Sequence, residues 1–304
     1  MAITKEKVEF KTQDGTVLRG NLTSPGVPNA PAIIMIAGLT FLKEHGGAET
    51  AEVFNKAGYA TLLYDHRHWG SSDGLPRQHV NLFQQAEDLS DAITYMTSRP
   101  DIDGDRIAIW GIGHGAGVVV QAGAYDKRAK AIMGISPFFS GEVDMLQFPP
   151  GAYQEAWEER ASRIANPNRE PKYVPIFAES MEMAERSPQA SIIGSPQGFF
   201  LRSIFKPLSD AAGTPWENKL TLESLYWQSK FEPTTSIHLI SPRPVYWVAT
   251  DAPLLPNYQA QVRAFEKAFE PKQFYGFRSL EESAAGPAYE MNLQEQAEFL
   301  KKWV

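Results

Sequence analysis

The chain has 304 residues, with 29 Lys plus Arg against 36 Asp plus Glu for a net charge of −7, 43% apolar content and no cysteine. The acidic balance gives no electrostatic handle on phosphate backbones, which argues against a nucleic-acid partner. The lack of cysteine removes disulfides, thiolate nucleophiles and thiolate metal ligands.

A chain of this length and apolar content buries a full core, read as one large domain with an insertion. The opening stretch MAITKEKVEFKTQDG has no apolar h-region, and Ala32 to Ala37, the longest apolar run, is too short to span a bilayer. The expectation is a cytoplasmic protein with no membrane partner. KVEFKT and VLRGNLTSP, separated by QDG, read as an antiparallel entry hairpin. AIIMIAG and YATLLYDH are nearly continuous apolar runs, the pattern of strands covered on both faces of a parallel sheet. Between them, GGAETAEVFNKAG carries a helical pattern closed by Gly58. A second helix is expected over Asn81 to Thr97, then the strand RIAIWG, a small-residue helix and the buried strand AKAIMGIS. This alternation predicts a doubly wound, mostly parallel α/β sheet.

The alternation stops over residues 141–235, which are rich in Pro, Met, aromatics and charge, with helical fragments such as YQEAWEERASRIA and LTLESLYWQSKF. A connection this long is a lid or disorder, and its aromatics favour an ordered helical cap. The sheet resumes at RPVYWVAT, followed by the helix YQAQVRAFEKAF, the strand KQFYGF and a terminal helix ending QAEFLKKWV. The expected division is a core of 1–140 and 236–304 with a cap of 141–235.

The chemistry centres on RIAIWGIGHGAGVVV, a strand, a glycine run and a helix. A strand-to-helix turn of the form Gly-x-nucleophile-x-Gly lifts one side chain above the sheet, with glycines where strand and helix approach too closely for a Cβ. The frame here is Gly111-Ile112-Gly113-His114-Gly115, so the nucleophile position falls on Gly113.

The segment from Gly58 through HRHWGSSDGLPRQHV to GIGHGAG resembles the dienelactone-hydrolase-like branch of the α/β-hydrolases. It is most similar to the hydrolase-like proteins of fungal polyketide and polyketide–peptide pathways. WENKLTLESLYWQSKFEPTTSIHLISPRPVYWV and the tail EQAEFLKKWV share the resemblance, which covers nearly the whole chain. It implies an α/β-hydrolase fold with a nucleophilic serine where Gly113 stands, an acid after RPVYWVAT and a histidine before the last helix. It also places oxyanion-hole backbone donors at Leu39 and His114. The six histidines are His45, His66, His68, His79, His114 and His238, and none lies in the final segment. Without an imidazole there, no Ser-His-Asp relay forms in the usual chain order. The acid position falls on Asp251 or, by spacing to Pro256, is lost at Ala252.

An oxyanion hole survives loss of the nucleophile, because backbone N–H groups form it. The leading expectation is therefore a non-hydrolytic, pseudo-hydrolase enzyme of polyketide-type biosynthesis. It would catalyse proton-transfer-assisted cyclisation, isomerisation or condensation of an apolar small-molecule substrate. Catalytic candidates are His114, Asp251 and His68, with Thr40, His45, Trp69, Trp157, Tyr226 and Trp227 as pocket candidates. Each has a plainer reading as a packed or relic residue, and Asp65 with Arg67 reads as an ion pair fixing the loop after a strand. No cofactor and no metal site are expected, and a homodimer is compatible with the sequence. Two alternatives stand beside this: a catalytically dead ligand-binding or scaffold protein, and a hydrolase whose nucleophile has moved to Ser71, Ser72 or Ser136.

Overall fold

In the computed structural model, which describes residues 3–145, 148–252 and 257–304, the chain enters through an antiparallel hairpin of β1 (Thr4–Lys11) and β2 (Val17–Ser24). Gly15 takes the positive φ of 87° that its turn requires. β2 then lies antiparallel against β4 (Ala60–Tyr64), and from there the sheet is parallel through β3 (Ala30–Ile36), β5 (Ile102–Ile112) and β6 (Ala129–Ile135) to β9 (Val245–Thr250) and β10 (Lys272–Phe277). The order across the eight strands is β1-β2-β4-β3-β5-β6-β9-β10. This is the doubly wound, mostly parallel α/β-hydrolase sheet that the strand-and-helix alternation predicts.

The apolar runs are continuous because both faces are buried. Ile34, Ile36, Ile109 and Ile132 project into one core layer; Ile33, Met35, Ala108 and Met133 project into the other. The first layer is covered by α2 (Leu82–Thr97) and α3 (His114–Tyr125), the second by α1 (Ala48–Lys56) and α10 (Pro287–Trp303). Helix α9 (Tyr258–Glu266) packs beside β9. The start of α2 is set by Asn81, whose side chain accepts hydrogen bonds from the N–H groups of Phe83 and Gln84.

Between β6 and β9 the described residues contribute no strand to the main sheet. They form the inserted helical cap: α4 (Gly141–Met145), α5 (Ala152–Ala165), α6 (Met181–Arg186), α7 (Pro196–Ala212) and α8 (Glu223–Ser229). Two short strands, β7 (Tyr173–Val174) and β8 (Leu220–Thr221), pair antiparallel within the cap. LTLESLYWQSKF is thus helical only from Glu223, because Leu220 and Thr221 are drawn into an extended seam with the core. The Thr221 N–H donates to the Gln78 carbonyl at 2.9 Å, and the Val80 N–H donates to Ser224 Oγ at 2.9 Å. His79 Nδ1 meets Thr221 Oγ1 at 2.8 Å, and the Trp216 indole N–H donates to the Thr40 carbonyl at 3.0 Å. No described helix is long and apolar enough to cross a membrane.

Candidate active site

The junction of β5 and α3 is a sharp turn at Gly113, with φ 59° and ψ −125°. Its N–H donates to the Ile135 carbonyl at 2.9 Å, and its own carbonyl accepts from Ala116 and Phe138 at 3.0 and 3.1 Å, tying the turn to the exit of β6. A Cβ on Gly111 would land on the Gly115 carbonyl, and one on Gly115 would lie 2.6 Å from the Ala37 carbonyl oxygen. Both glycines are therefore required by the close approach of strand, helix and the loop after β3. Gly113 is different. Its hypothetical Cβ would lie 3.6 Å from Gly38 Cα and 3.9 Å from Phe138 Cδ2, in ordinary contact, so the apex has room for a side chain and carries none.

The loop facing this apex, residues 38–45, is held from below. Asp65, fully buried at the end of β4, accepts from the Lys43 N–H at 3.0 Å, from Lys43 Nζ at 2.6 Å, and from the N–H and hydroxyl of Ser71 at 2.9 and 2.8 Å. Burial alone would lower the Lys43 ammonium, but Asp65 and Glu44 outweigh it and hold its pKa above the usual value. The expected Asp65–Arg67 pair is thus corrected. Arg67 forks onto Asp88 of α2, through Nε at 2.7 Å and Nη2 at 2.5 Å, and reaches Asp14 of the hairpin turn at 2.7 Å. Both partnerships join segments far apart in sequence, which residue spacing does not reveal.

From above, the loop is pinned by His45. The Leu42 N–H donates to its Nδ1 at 3.1 Å, which leaves the proton on Nε2 to donate to Ser209 Oγ, and that hydroxyl donates to the Phe205 carbonyl at 3.2 Å. The ring stacks on Phe205 at 4.9 Å, and burial lowers its pKa to about 4. Burial likewise brings His66 and His68 to about 4 and His79 to about 3. In the unfolded chain these imidazoles protonate near pH 6.5. The stability they contribute is therefore complete above that pH and is lost as pH falls toward the folded values, at about 1.4 kcal/mol per pH unit for each proton taken up. Urea midpoints are expected to fall steeply from pH 6.5 to 4.5, and less steeply in His45→Phe; a flat profile over that range would contradict neutral burial of these rings.

A cavity of about 310 Å³ opens at the elbow. Leu39, Phe138, Phe148, Ile192 and Ile193 supply much of its apolar wall, and His114, Ser191 and Gln228 contribute buried polar side chains. His114 is 5% exposed and stacks on Phe138 with ring centroids 4.2 Å apart and planes at 15°. Among the expected site residues, the structure brings Leu39, His114 and the bare apex of Gly113 together. The rest lie elsewhere. Thr40, within the loop, is buried off the cavity lining, its carbonyl accepting from the Trp216 indole. His45 sits in the seam with α7, outside the cavity lining. Trp69 is in the core, its indole N–H on the His79 carbonyl at 2.9 Å. His68, at a φ of 71°, packs edge-on to His79 at 5.3 Å. Trp157 is half exposed on α5. Tyr226 and Trp227 are flanked by Arg160, 4.8 and 5.4 Å from their ring centres, and by Lys230, at 4.6 and 5.3 Å. Asp251 is exposed at the end of β9, with its N–H on the Phe277 carbonyl at 3.1 Å, while Pro253 to Pro256 lie outside the described residues.

None of the three alternative serines lines the cavity. Ser71 and Ser72 are bound to Asp65, and Ser136 Oγ meets Thr250 Oγ1 at 2.7 Å. Sequence reasoning missed Phe138, Phe148, Ser191, Ile192, Ile193 and Gln228. Phe138 alone had a usable signal, two residues beyond the end of AKAIMGIS, where α/β sheets build their sites. Among the described residues, no group of three or more His, Asp or Glu is placed to hold a metal ion.

Known proteins share this fold. The family model described as serine aminopeptidase, S33, matches residues 33–187. The polyketide transferase ATR5 of Stachybotrys chlorohalonatus is 32% identical over 310 residues, covering 99% of this chain and 98% of that protein. The polyketide transferase grgF of Penicillium sp. is 31% identical over 271 residues, covering 89% of this chain and 87% of its own. The crystal structure of GrgF, an α/β-hydrolase, superposes with a TM-score of 0.80 over 99% of both chains, at 30% identity. The thiohydrolase aneE of Aspergillus aculeatus is 28% identical and covers 98% of this chain and 93% of its own. The chain belongs to the serine aminopeptidase S33 family of α/β-hydrolases, in the group that holds fungal polyketide transferases and thiohydrolases.

Proposed function

We propose that the protein is a non-hydrolytic α/β-hydrolase-fold enzyme of polyketide-type natural-product biosynthesis, acting on an apolar small molecule held at the elbow. The observation that carries this reading is the bare apex: Gly113 keeps the backbone of a nucleophile turn and the space for a side chain, yet presents only hydrogen. An acyl-enzyme needs a nucleophile activated by a base. The apex lacks the first, and the segment before α10 carries no histidine to act as the second.

What remains suits enolate chemistry. The backbone N–H groups of Leu39 and His114 would accept the negative charge that develops on a substrate carbonyl oxygen when an adjacent carbon loses its proton. The His114 imidazole, on the cavity wall, would carry that proton from carbon to its new position or to a departing hydroxyl. Isomerisation and cyclisation conserve mass by this route; condensation of a carbon nucleophile on a carbonyl releases one water. The names of the relatives, polyketide transferase and thiohydrolase, support a polyketide-derived substrate.

Purified protein and His114→Ala are to be incubated with polyketide-pathway intermediates and followed by mass spectrometry. Product of unchanged mass, or of mass reduced by one water, is expected with the native protein and at least about a hundredfold more slowly with the variant. An intermediate that co-purifies unchanged with both proteins would turn the reading to a binding protein.

A further inference from the structure

Gln228, on the last turn of α8, lines the cavity and is 1% exposed, and neither its Oε1 nor its Nε2 has a hydrogen-bond partner. Ser191, 3% exposed on the same cavity wall, likewise has an unpartnered hydroxyl. Among the described buried glutamines, Gln78 and Gln85 each leave one amide atom unpartnered, Gln228 leaves both, and the remaining two are fully engaged. Gln261 clasps the N–H and carbonyl of Thr250 at 3.1 and 2.8 Å, and Gln296 joins Trp110 to Asn292 at 2.9 and 2.7 Å. A buried primary amide with both ends unpaired costs folding free energy that a leucine of similar size would not. Such a group is retained where it has a partner that arrives from outside.

We infer that Gln228 is the specificity-determining contact of this cavity, pairing edge to edge with a substrate group that sets a hydrogen-bond acceptor beside a donor. This deepens the proposed function and rests on it. An amide offers one acceptor and one donor in a plane, so its complement is a carboxamide, a lactam or an enolised 1,3-dicarbonyl. The ligand group is neutral, because no Lys, Arg, Asp or Glu lines the cavity among the described residues. Ser191 supplies one further hydrogen bond to the same ligand.

The probes are octanamide and N,N-dimethyloctanamide, which share the acceptor but not the donor, titrated calorimetrically into the native protein, Gln228→Leu and Gln228→Met. Octanamide is expected to bind the native protein about tenfold more tightly than its dimethyl derivative. Both variants are expected to bind the two amides alike and to melt above the native protein. A second pair, 2,4-decanedione and its 3,3-dimethyl derivative, which cannot form the conjugated enol between the two carbonyls, distinguishes an enol ligand from an amide; preference within either pair supports the inference and identifies the group.

Equal affinities within both pairs for the native protein would overturn the role of Gln228 while leaving the cavity as a ligand site. A preference that persists in both variants would do the same, as would melting of both below the native protein, since the amide would then be structural. Failure of all four probes to bind the native protein would overturn the cavity as a ligand site, and this inference with it.

Discussion

Replacing Asp65 with alanine is expected to cost about 3–5 kcal/mol of folding stability, the range for removing one partner of a buried ion pair. The carboxylate is wholly buried and Lys43 nearly so, with side-chain exposures of 0% and 8%. Alanine would leave the ammonium with Glu44 at 2.9 Å and Ser71 Oγ at 3.1 Å, and would strip the Lys43 and Ser71 N–H groups of their acceptor. The loop released is the one that carries Leu39 to the elbow, so ligand binding in the cavity should weaken alongside stability. Adding Lys43→Met to Asp65→Ala should recover part of the loss, because the orphaned charge goes with it. Chemical denaturation of the two single variants and the double variant reads the coupling; a loss under about 1 kcal/mol for Asp65→Ala, the size of an exposed pair, would mean that the carboxylate does not anchor the loop.

Gly111→Ala and Gly113→Ser should separate the framework of the elbow from its missing chemistry. At Gly111 the added methyl meets backbone, the Gly115 carbonyl, which cannot yield without parting strand from helix. The cost is expected to exceed about 3 kcal/mol, beyond ordinary overpacking, and the variant should accumulate poorly folded or insoluble. At Gly113 the serine meets only ordinary contacts, and its penalty is the positive φ, of order 1–3 kcal/mol. Gly113→Ser should therefore fold, melt several degrees lower, and hydrolyse activated esters no faster than the native protein. The relay that activates an elbow serine takes its base from the segment before α10, and that segment has no imidazole. Ester turnover by Gly113→Ser at the rate of an ordinary serine hydrolase would show that a base is present and would sink the non-hydrolytic reading.

Much of the frame is legible in the linear chain because it rests on local rules. Strands such as AIIMIAG read as continuous apolar runs because helices cover both faces of a parallel sheet, and they appear as β3, β4, β6 and β9 in that order. The elbow reads from Gly111 and Gly115, since the close approach of strand to helix has one steric solution and a fixed spacing. The absence of a serine at Gly113 and of a histidine before α10 is a matter of counting.

What the tertiary structure decided is the company each side chain keeps. Lys43 rather than Arg67 neutralises Asp65, and Asp88 and Asp14 neutralise Arg67, because β4 delivers those charges to opposite neighbours more than twenty residues away. Aromatics expected to clasp a substrate went elsewhere: Trp69 into the core, and Tyr226 and Trp227 onto Arg160 and Lys230. Ser191, Ile192 and Ile193 line the cavity with Gln228 and His114, with no motif to announce them. A cavity wall is assembled from segments that folding brings together, so its members carry no shared spacing, whereas a turn or a strand carries its geometry in a few consecutive residues.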